Sequence, residues 1–399
     1  MRILHTADWH LGKNLEGVSR LDEQEKFLDD FVQIVKNNNI DLVIIAGDIY
    51  DSSNPPARAE KLFYRTLKMI SNDNRTATLV ISGNHDNPDR LVAANPLAME
   101  HGIIMVGTPK TIVPIGSYGC CDITESGEGY IEIEINHEKA VIITVPYPSE
   151  KRLNEVIYKD MEEDEEKAIS YSDKIFSLFE ELKKHFREDT INIVVSHLFT
   201  MGSEEGGSER SIQLGGTYIV DSSCFPKEAQ YIALGHVHKP QIVPGTNKRA
   251  RYAGSPLQYN KKEINFTKKC YIVELKAKKE AIIEEVELKT YKPIDIWKCS
   301  SIEEAIDKCK ENSDRESYVY LEIETDRYIR QEEIKEMKSY KDDILEITPI
   351  IEGVDADYDY DEESSKSFEE LFIDFYKKER RLEPEQEVID TLLSVMQEE

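Results

Sequence analysis

Residues 40–51 read IDLVIIAGDIYD. The mostly aliphatic run from Ile40 to Ala46 ends on a glycine, and carboxylates then appear at Asp48 and Asp51. A short β-branched run of this kind predicts a buried strand. The polar turn at its carboxyl end predicts a binding position, because in α/β sheets ligands gather beyond the carboxyl ends of strands.

Working outward, residues 1–7 (MRILHTA) form a second such run, and residues 21–37 between the two have helical spacing, so the chain opens as β-α-β. The alternation continues with a helix near 59–70 and strands at 76–82, 191–196 and 231–234, while 130–135 and 140–145 read as an antiparallel pair. Mixed strands with flanking helices predict an α/β sandwich. A further strand pair, 270–275 and 282–287, is expected to complete its second sheet. From about residue 291 the rhythm becomes strand, helix (301–310), strand (318–323), helix (330–338), strand (344–350), the size of a small α+β domain. The acidic stretch DADYDYDEESS, 355–365, reads as a solvated linker. Three regions are therefore expected: 1–288, 289–351 and 352–399.

At 399 residues the chain exceeds one ordinary core, in keeping with that division. Its N-terminal MRILHTADWH lacks the apolar segment of a signal peptide, and no later apolar run is long enough to span a bilayer. A cytoplasmic location without membrane attachment is expected. The six cysteines include no C-x-x-C pair and read as reduced and structural. The formal charge of −28 runs against a nucleic-acid ligand, which calls for a basic face. Residues 351–399 hold much of that excess, 17 Asp and Glu against 5 Lys and Arg. The rest is still not basic, so bound divalent cations and a partner subunit would have to supply the positive field, or the substrate is not a nucleic acid.

Five segments place metal-binding side chains just after strands: ADWHLG (Asp8, His10), AGDIYD (Asp48, Asp51), SGNHD (Asn84, His85, Asp86), VSHL (His197) and GHVH (His236, His238). Imidazole, carboxylate and amide oxygen without thiolate suit divalent ions such as Mn²⁺ and not a Cys-rich structural zinc site. Two ions about 3.5–4 Å apart would clamp a phosphodiester and lower the pKa of a bound water toward roughly 7. One carboxylate must then lie between them, and Asp48 is the candidate, since its strand is flanked by those leading to Asp8 and Asn84. A lone histidine is more often a packed core residue than a ligand. Five such segments in series, each after an apolar strand, are not explained that way. His5, His101, His137 and His185 lack the context and read as structural.

The series D-x-H, G-D-x-x-D, G-N-H-D, an isolated His and G-H-x-H resembles the calcineurin-like metallophosphoesterase superfamily. More narrowly, HTADWHLG, GDIYDSSNPP, GNHDNPDRL and ALGHVHKPQ resemble its branch of bacterial SbcD-type nucleases, strongly over the first 260 residues. The resemblance implies a four-layer α/β/β/α sandwich with a capping domain over 289–351 and a C-terminal helical, partner-binding tail. It implies one metal held by Asp8, His10, Asp48 and His238 and another by Asp48, Asn84, His197 and His236. His85 would contact the scissile phosphate and assist the leaving 3′ oxygen. Asp51 would orient that histidine, with Asp86 as the alternative. The implied activity is an ATP-regulated, Mn²⁺-dependent DNA endonuclease and exonuclease acting in DNA repair, recombination and replication, with Mg²⁺ as another possible ion. The implied partners are an SbcC-type ATPase and a second copy of the chain. ATP would bind the partner, because no G-x-x-x-x-G-K-[ST] loop occurs here. The rivals are a small phosphate-ester or cyclic-nucleotide phosphodiesterase on the same core, and a non-catalytic DNA-end tethering scaffold.

Two regions are read by pattern alone. MGSEEGGSERSIQLGG, 201–216, is a Gly- and Ser-rich loop that either borders a DNA groove or is an ordinary surface loop. In the tail, Phe368, Leu371, Phe372, Phe375 and Tyr376 share one helical face, with Ser367 and Glu370 spaced as a capping box. A second helix is expected from Pro384, presenting Val388, Ile389, Leu392 and Leu393. These helices are too short to make a core alone, so they are expected to dock on another surface, which the resemblance implies is the ATPase partner, the alternative being this chain's own cap.

Overall fold

The computed structural model describes residues 1–72, 74–153, 164–206 and 218–350, and then 372, 373, 375–377, 380, 382–386 and 388–390. The chain divides into two compact units, Met1–Tyr291 and Lys292–Glu399.

The first unit is built on two sheets. One has six strands: β1 (Arg2–Thr6), β2 (Leu42–Ala46), β3 (Ala77–Ile81), β4 (Ile103–Val106), β13 (Lys269–Glu274) and β14 (Ile282–Glu287), in the order β14-β13-β1-β2-β3-β4. The other has eight: β5 (Gly116–Tyr118), β6 (Cys121–Gly127), β7 (Tyr130–Ile135), β8 (Glu138–Val145), β9 (Ile191–His197), β10 (Tyr231–Gly235), β11 (Gln241–Ile242) and β12 (Ala250–Tyr252), in the order β11-β12-β10-β9-β8-β7-β6-β5. Strands β1 to β4 are parallel, as are β8, β9, β10 and β12, so their carboxyl ends open along one edge of each sheet. The pair β13 and β14 departs from the sequence reading. It joins the first sheet, β13 running antiparallel to β1 with Arg2 opposite Glu274, and does not extend the second. The edge a hairpin selects is set by its tertiary neighbour, which local pattern does not record.

Alternation along each strand explains the layering. Ile3, Leu42 and Ile44 point into a core shared with Ile133, Ile142 and Ile193 of the second sheet. Their neighbours Leu4, Val43 and Ile45 point the other way, onto Phe27 and Phe31 of α1 (Leu21–Asn37) and Phe63 and Leu67 of α2 (Ala57–Ser71). On the far side, Ile143, Val194 and Ile232 pack against Tyr171, Ile175 and Phe179 of α3 (Asp164–Leu182), a helix absent from the sequence reading. Each such aliphatic side chain contributes about 1.5–3 kcal/mol when fully buried.

His5 sits inside the sheet-to-sheet core, fully buried, with Nδ1 2.8 Å from Tyr231 Oη and its ring stacked on Tyr271. Burial lowers its pKa to about 3. The unfolded chain takes up this proton below roughly pH 6.5, whereas the folded chain does so only near the lowered value, so stability is present above that range and lost as pH falls through it, by up to about 1.4 kcal/mol per pH unit. Denaturant titrations of the metal-free protein at pH 7 and pH 4.5 should therefore show a larger loss for the wild type than for His5→Asn. Equal losses would mean that the core accepts the charged imidazole.

The second unit is βαβαβ: β15 (Ile294–Cys299), α4 (Ile302–Glu311), β16 (Tyr318–Glu324), α5 (Gln331–Tyr340) and β17 (Ile344–Ile350). Its three strands are all parallel, an α/β arrangement in place of the expected α+β, because each strand-to-strand connection is a helical crossover. Ser301 caps α4 by accepting from the Glu304 amide at 3.1 Å. Within this unit Leu382 pairs with Ile329, Ile389 is buried and Phe375 is 60% exposed. The linker at 355–365, the loop at 207–216, and Ser367, Phe368, Glu370, Leu371, Leu392 and Leu393 lie outside the described residues. Among those described, no helix is long and apolar enough to cross a membrane.

Candidate metal centre

Every singled-out segment lies at the carboxyl end of a strand: Asp8 and His10 after β1, Asp48 and Asp51 after β2, Asn84 to Asp86 after β3, His197 closing β9, and His236 and His238 after β10. The first two turns are tied as an extension of the sheet, with Asp8 N donating to Gly47 O (3.0 Å), His10 N to Asp48 O (3.0 Å) and Leu11 N to Ile49 O (2.9 Å). Between Asp8 and His10, Trp9 turns the other way and is fully buried edge-on against Phe27, Phe31 and Phe63. That anchor fixes the residues on either side.

The backbone here is unusual. Asp8, His10, Asp48 and His236 have φ of 52°, 44°, 50° and 103°, a region that costs an L-residue about 1–2 kcal/mol. Such conformations persist where the surroundings over-determine them, and they concentrate at functional sites. Gly47, at φ 91°, is required twice over, since a Cβ there would lie 2.2 Å from His197 Nδ1. A Cβ on Gly83 would fall 2.1 Å from Asp48 Oδ1.

Three groups of donors result, each gathered within 4.8 Å: Asp8 with His10 and His238, Asp48 with His197 and His236, and His10 with Asp51 and His85; the first two are made up of foreseen ligands. His10 Nε2 and His238 Nε2 are 2.9 Å apart. Asn84 Oδ1 lies 3.0 Å from both His197 Nε2 and His236 Nδ1. Asp48 Oδ2 stands between the first two groups, 3.6 Å from His10 Nε2 and 3.4 Å from His197 Nε2. His85 is adjacent, its Nε2 4.0 Å from Asp48 Oδ2 and its amide donating to Asp48 Oδ1 at 2.8 Å.

Burial dominates the electrostatics. It pushes the Asp8 carboxyl up to about 7 and holds His10 and His236 down near 3, so both imidazoles are neutral at pH 7. Burial would also raise Asp48, but the His197 and His85 imidazoles more than offset it and keep that carboxyl well below the usual range. His197 resists protonation by burial, yet the Asp48 carboxylate beside it lifts it to about 9. Two buried carboxylates, four imidazoles and an amide oxygen without thiolate make a donor set that fits divalent ions.

The surrounding contacts assign positions that sequence left open. His85 Nδ1 meets the main-chain carbonyl of Asp51 at 2.7 Å, whereas the Asp51 carboxylate faces Lys13 Nζ (2.8 Å) and His10 Nδ1 (3.4 Å). Asp86 is occupied elsewhere, accepting from the amides of Gly83, Ile49 and Tyr50 at 2.8–3.1 Å, and so braces the loop. Arg152, in the short helical turn Glu150–Leu153, donates to the carbonyls of Gly83 and Asp86, both at 2.7 Å. Sequence reading passed over Arg152 and also Glu263. Glu263 is fully buried, accepts from Lys268 Nζ at 2.6 Å and meets His238 Nδ1 at 3.2 Å. Neither residue belongs to a motif, since each acts through contacts that only the fold creates.

A carboxylate on the far nitrogen of a ligating imidazole fixes its tautomer, and losing it weakens metal affinity about 10–100-fold. His197 is held independently, Nδ1 to Ala46 O at 2.8 Å. Glu263→Gln should therefore weaken Mn²⁺ binding at the His238 group about 10–100-fold by calorimetry and leave the His197 group unchanged. Unchanged affinity at both would remove Glu263 from the arrangement.

The fold and this centre are those of a metal-dependent phosphoesterase: residues 1–240 match the calcineurin-like phosphoesterase family, and the chain belongs to it. Residues 290–380 match the family described as type 5 capsule protein repressor C-terminal domain. Over 397 residues the chain is 39% identical to the SbcD subunit of nuclease SbcCD from Bacillus subtilis, covering 99% of this chain and 97% of that one. It is 30% identical over 278 residues to the SbcD subunit of nuclease SbcCD from Rhodobacter capsulatus, covering 67% and 64% of the two chains. Within its family the chain thus groups with the SbcD subunits of SbcCD nucleases. A dimetal phosphatase from Danio rerio aligns with 71% of this chain and 98% of its own, at 11% identity and a TM-score of 0.34.

Proposed function

We propose that this chain is the Mn²⁺-dependent nuclease subunit of an SbcCD-type complex, cleaving single strands and hairpins internally and double-stranded ends 3′ to 5′, in DNA repair, recombination and replication. One observation carries the chemistry: two donor groups share an edge of the sandwich with Asp48 between them and His85 beside them. In this reading Asp8, His10, Asp48 and His238 hold one ion, and Asp48, Asn84, His197 and His236 the other. Bound there, such ions supply Lewis acidity to the phosphate and a water of lowered pKa.

The remaining work falls to the chain. With Nδ1 donating to the Asp51 carbonyl, the Nε2 of a protonated His85 is the atom that presents a proton to the departing 3′ oxygen. Asp51 orients that ring through its main chain, while its carboxylate holds Lys13 near the same edge. Arg152 and Asp86 keep the Ser82–Asp86 loop in register, and the Tyr147 ring, stacked at 24° on His236, closes one side.

Residues 289–351 form the cap in this reading, and 352–399 the segment that binds an SbcC-type ATPase, with exposed Phe375 as an apolar contact. A homodimer working in the cytoplasm completes it. The deciding assay compares Mn²⁺-dependent cleavage of single-stranded, hairpin and duplex-end DNA with hydrolysis of p-nitrophenyl phosphate. DNA cleavage far above the small ester supports the nuclease. The reverse preference would make it a small-ester phosphoesterase, and inactivity on both with metal bound would leave a tethering role.

A further inference from the structure

At the opposite end of the sandwich from the metal centre lies a cavity of about 990 Å³. It is framed by the amino ends of β9 and β10, by β12 and the turn before it, and by the turn joining β13 to β14. Asn192 on its wall and His197 in the metal centre are five residues apart on one strand, roughly 17 Å. The cavity is therefore separate from that centre.

Its charge runs against the rest of the molecule. In a chain of net charge −28, seven Lys and Arg line it against three Glu. Among the described residues, Lys227, Lys248 and Lys279 make no ion pair with a carboxylate, and Lys278 meets Glu188 only at 3.6 Å. Arg251 is nine-tenths buried, with Nη1 3.4 Å from Glu285, its guanidinium over the Tyr271 ring and its Nε without a hydrogen-bond partner. Arg187 pairs with Glu132, so the free charge of the cavity is carried by the lysines. Lys248 and Lys278 have φ of 63° and 65°, turn conformations that Gly or Asn adopt more readily. The walls are braced: Arg249 Nη1 donates to the carbonyls of Pro226 and Ala229 (3.0 and 2.7 Å), and Gln230 Nε2 to those of Lys276 (2.8 Å) and Lys279. Phe186 and Ile283 add an apolar side.

We infer that this cavity binds a small, multiply charged phosphate ligand of nucleotide size. Its volume lies in the range of small-molecule pockets, roughly 300–1,000 Å³. Unpaired ammonium groups are a chemistry that recognises phosphate. Because the lining comes from both sheets, occupancy would tie β13 and β14 to the second sheet and stabilise the fold.

The test uses the full chain in EDTA, so that the metal centre cannot hold phosphate, and titrates inorganic tripolyphosphate and ADP by calorimetry and thermal melting at low salt. Saturable binding of one equivalent, a raised melting temperature and at least tenfold weaker binding in Lys248→Gln/Lys279→Gln are expected. Lys335→Gln, on the second unit, should leave binding unchanged. ADP binding tighter than tripolyphosphate would identify a nucleotide site, and the reverse an inorganic polyphosphate site. Absence of binding, binding unaffected by the double substitution, or displacement by a single-stranded oligonucleotide at far lower concentration would overturn the proposal. None of these outcomes bears on nuclease activity, which is measured separately with Mn²⁺.

Discussion

Asp48→Ala should leave a folded protein that holds neither divalent ion and has lost at least about 10³-fold in phosphodiester cleavage, equivalent to ~4 kcal/mol at the transition state. The expectation follows from the position of Asp48 Oδ2, within 3.6 Å of His10 Nε2 in one donor group and 3.4 Å of His197 Nε2 in the other. Removing that carboxylate also removes the largest of the influences that raise His197. A metal titration gives the result directly. The wild type should take up two Mn²⁺ per chain and the variant none, and EDTA should lower the melting temperature of the wild type only. Retention of one tight ion by Asp48→Ala would show that the two groups do not share this residue.

The second large effect separates neighbours in sequence. Asn84→Ala should weaken Mn²⁺ binding and recover part of its cleavage as Mn²⁺ is raised, because Asn84 Oδ1 sits 3.0 Å from two histidine nitrogens of the second group. His85→Ala should keep both ions and bind DNA, yet lose roughly 10²–10⁴-fold in cleavage, about 3–5 kcal/mol, with no recovery at high Mn²⁺. The distinction rests on His85 standing beside Asp48 while its Nδ1 is committed to the Asp51 carbonyl. Bound Mn²⁺, thermal melts and single-turnover rates measured on both variants decide it. A stable His85→Ala protein with near wild-type turnover would refute the role.

What could be read beforehand followed from what local sequence encodes. The strands β1, β2, β3, β9 and β10 are buried on both faces and announce themselves as aliphatic runs, and the donors follow them directly. Helix α3 was missed although Tyr171, Ile175 and Phe179 repeat at four-residue spacing, because its amino-terminal part is strongly charged and dilutes the signal. The sheet chosen by β13 was illegible, since Cys270, Tyr271, Ile272 and Val273 are buried whichever edge they join. Glu263 and Arg152 could not be found by spacing. They reach His238 and the Gly83 carbonyl across 25 and 69 residues. The contact to His85 fell to a carbonyl where a carboxylate was expected, and every residue carries a carbonyl.

Asp8, His10, Asp48, Asn84 and His85 ride on one sheet, and His197, His236 and His238 on the other. Under the proposed assignment an ion held by residues of both sheets would act as a rivet through two plates, and its binding constant would report how well the plates are aligned. Linkage then runs in both directions. A cavity opened in the shared core, at Ile44 or Ile193 for instance, would loosen ion binding without touching a ligand, and ion binding would return the same free energy to the weakened core. Substitutions that look like loss of cofactor affinity can thus originate well away from the ligands, and restoring the packing would be their remedy.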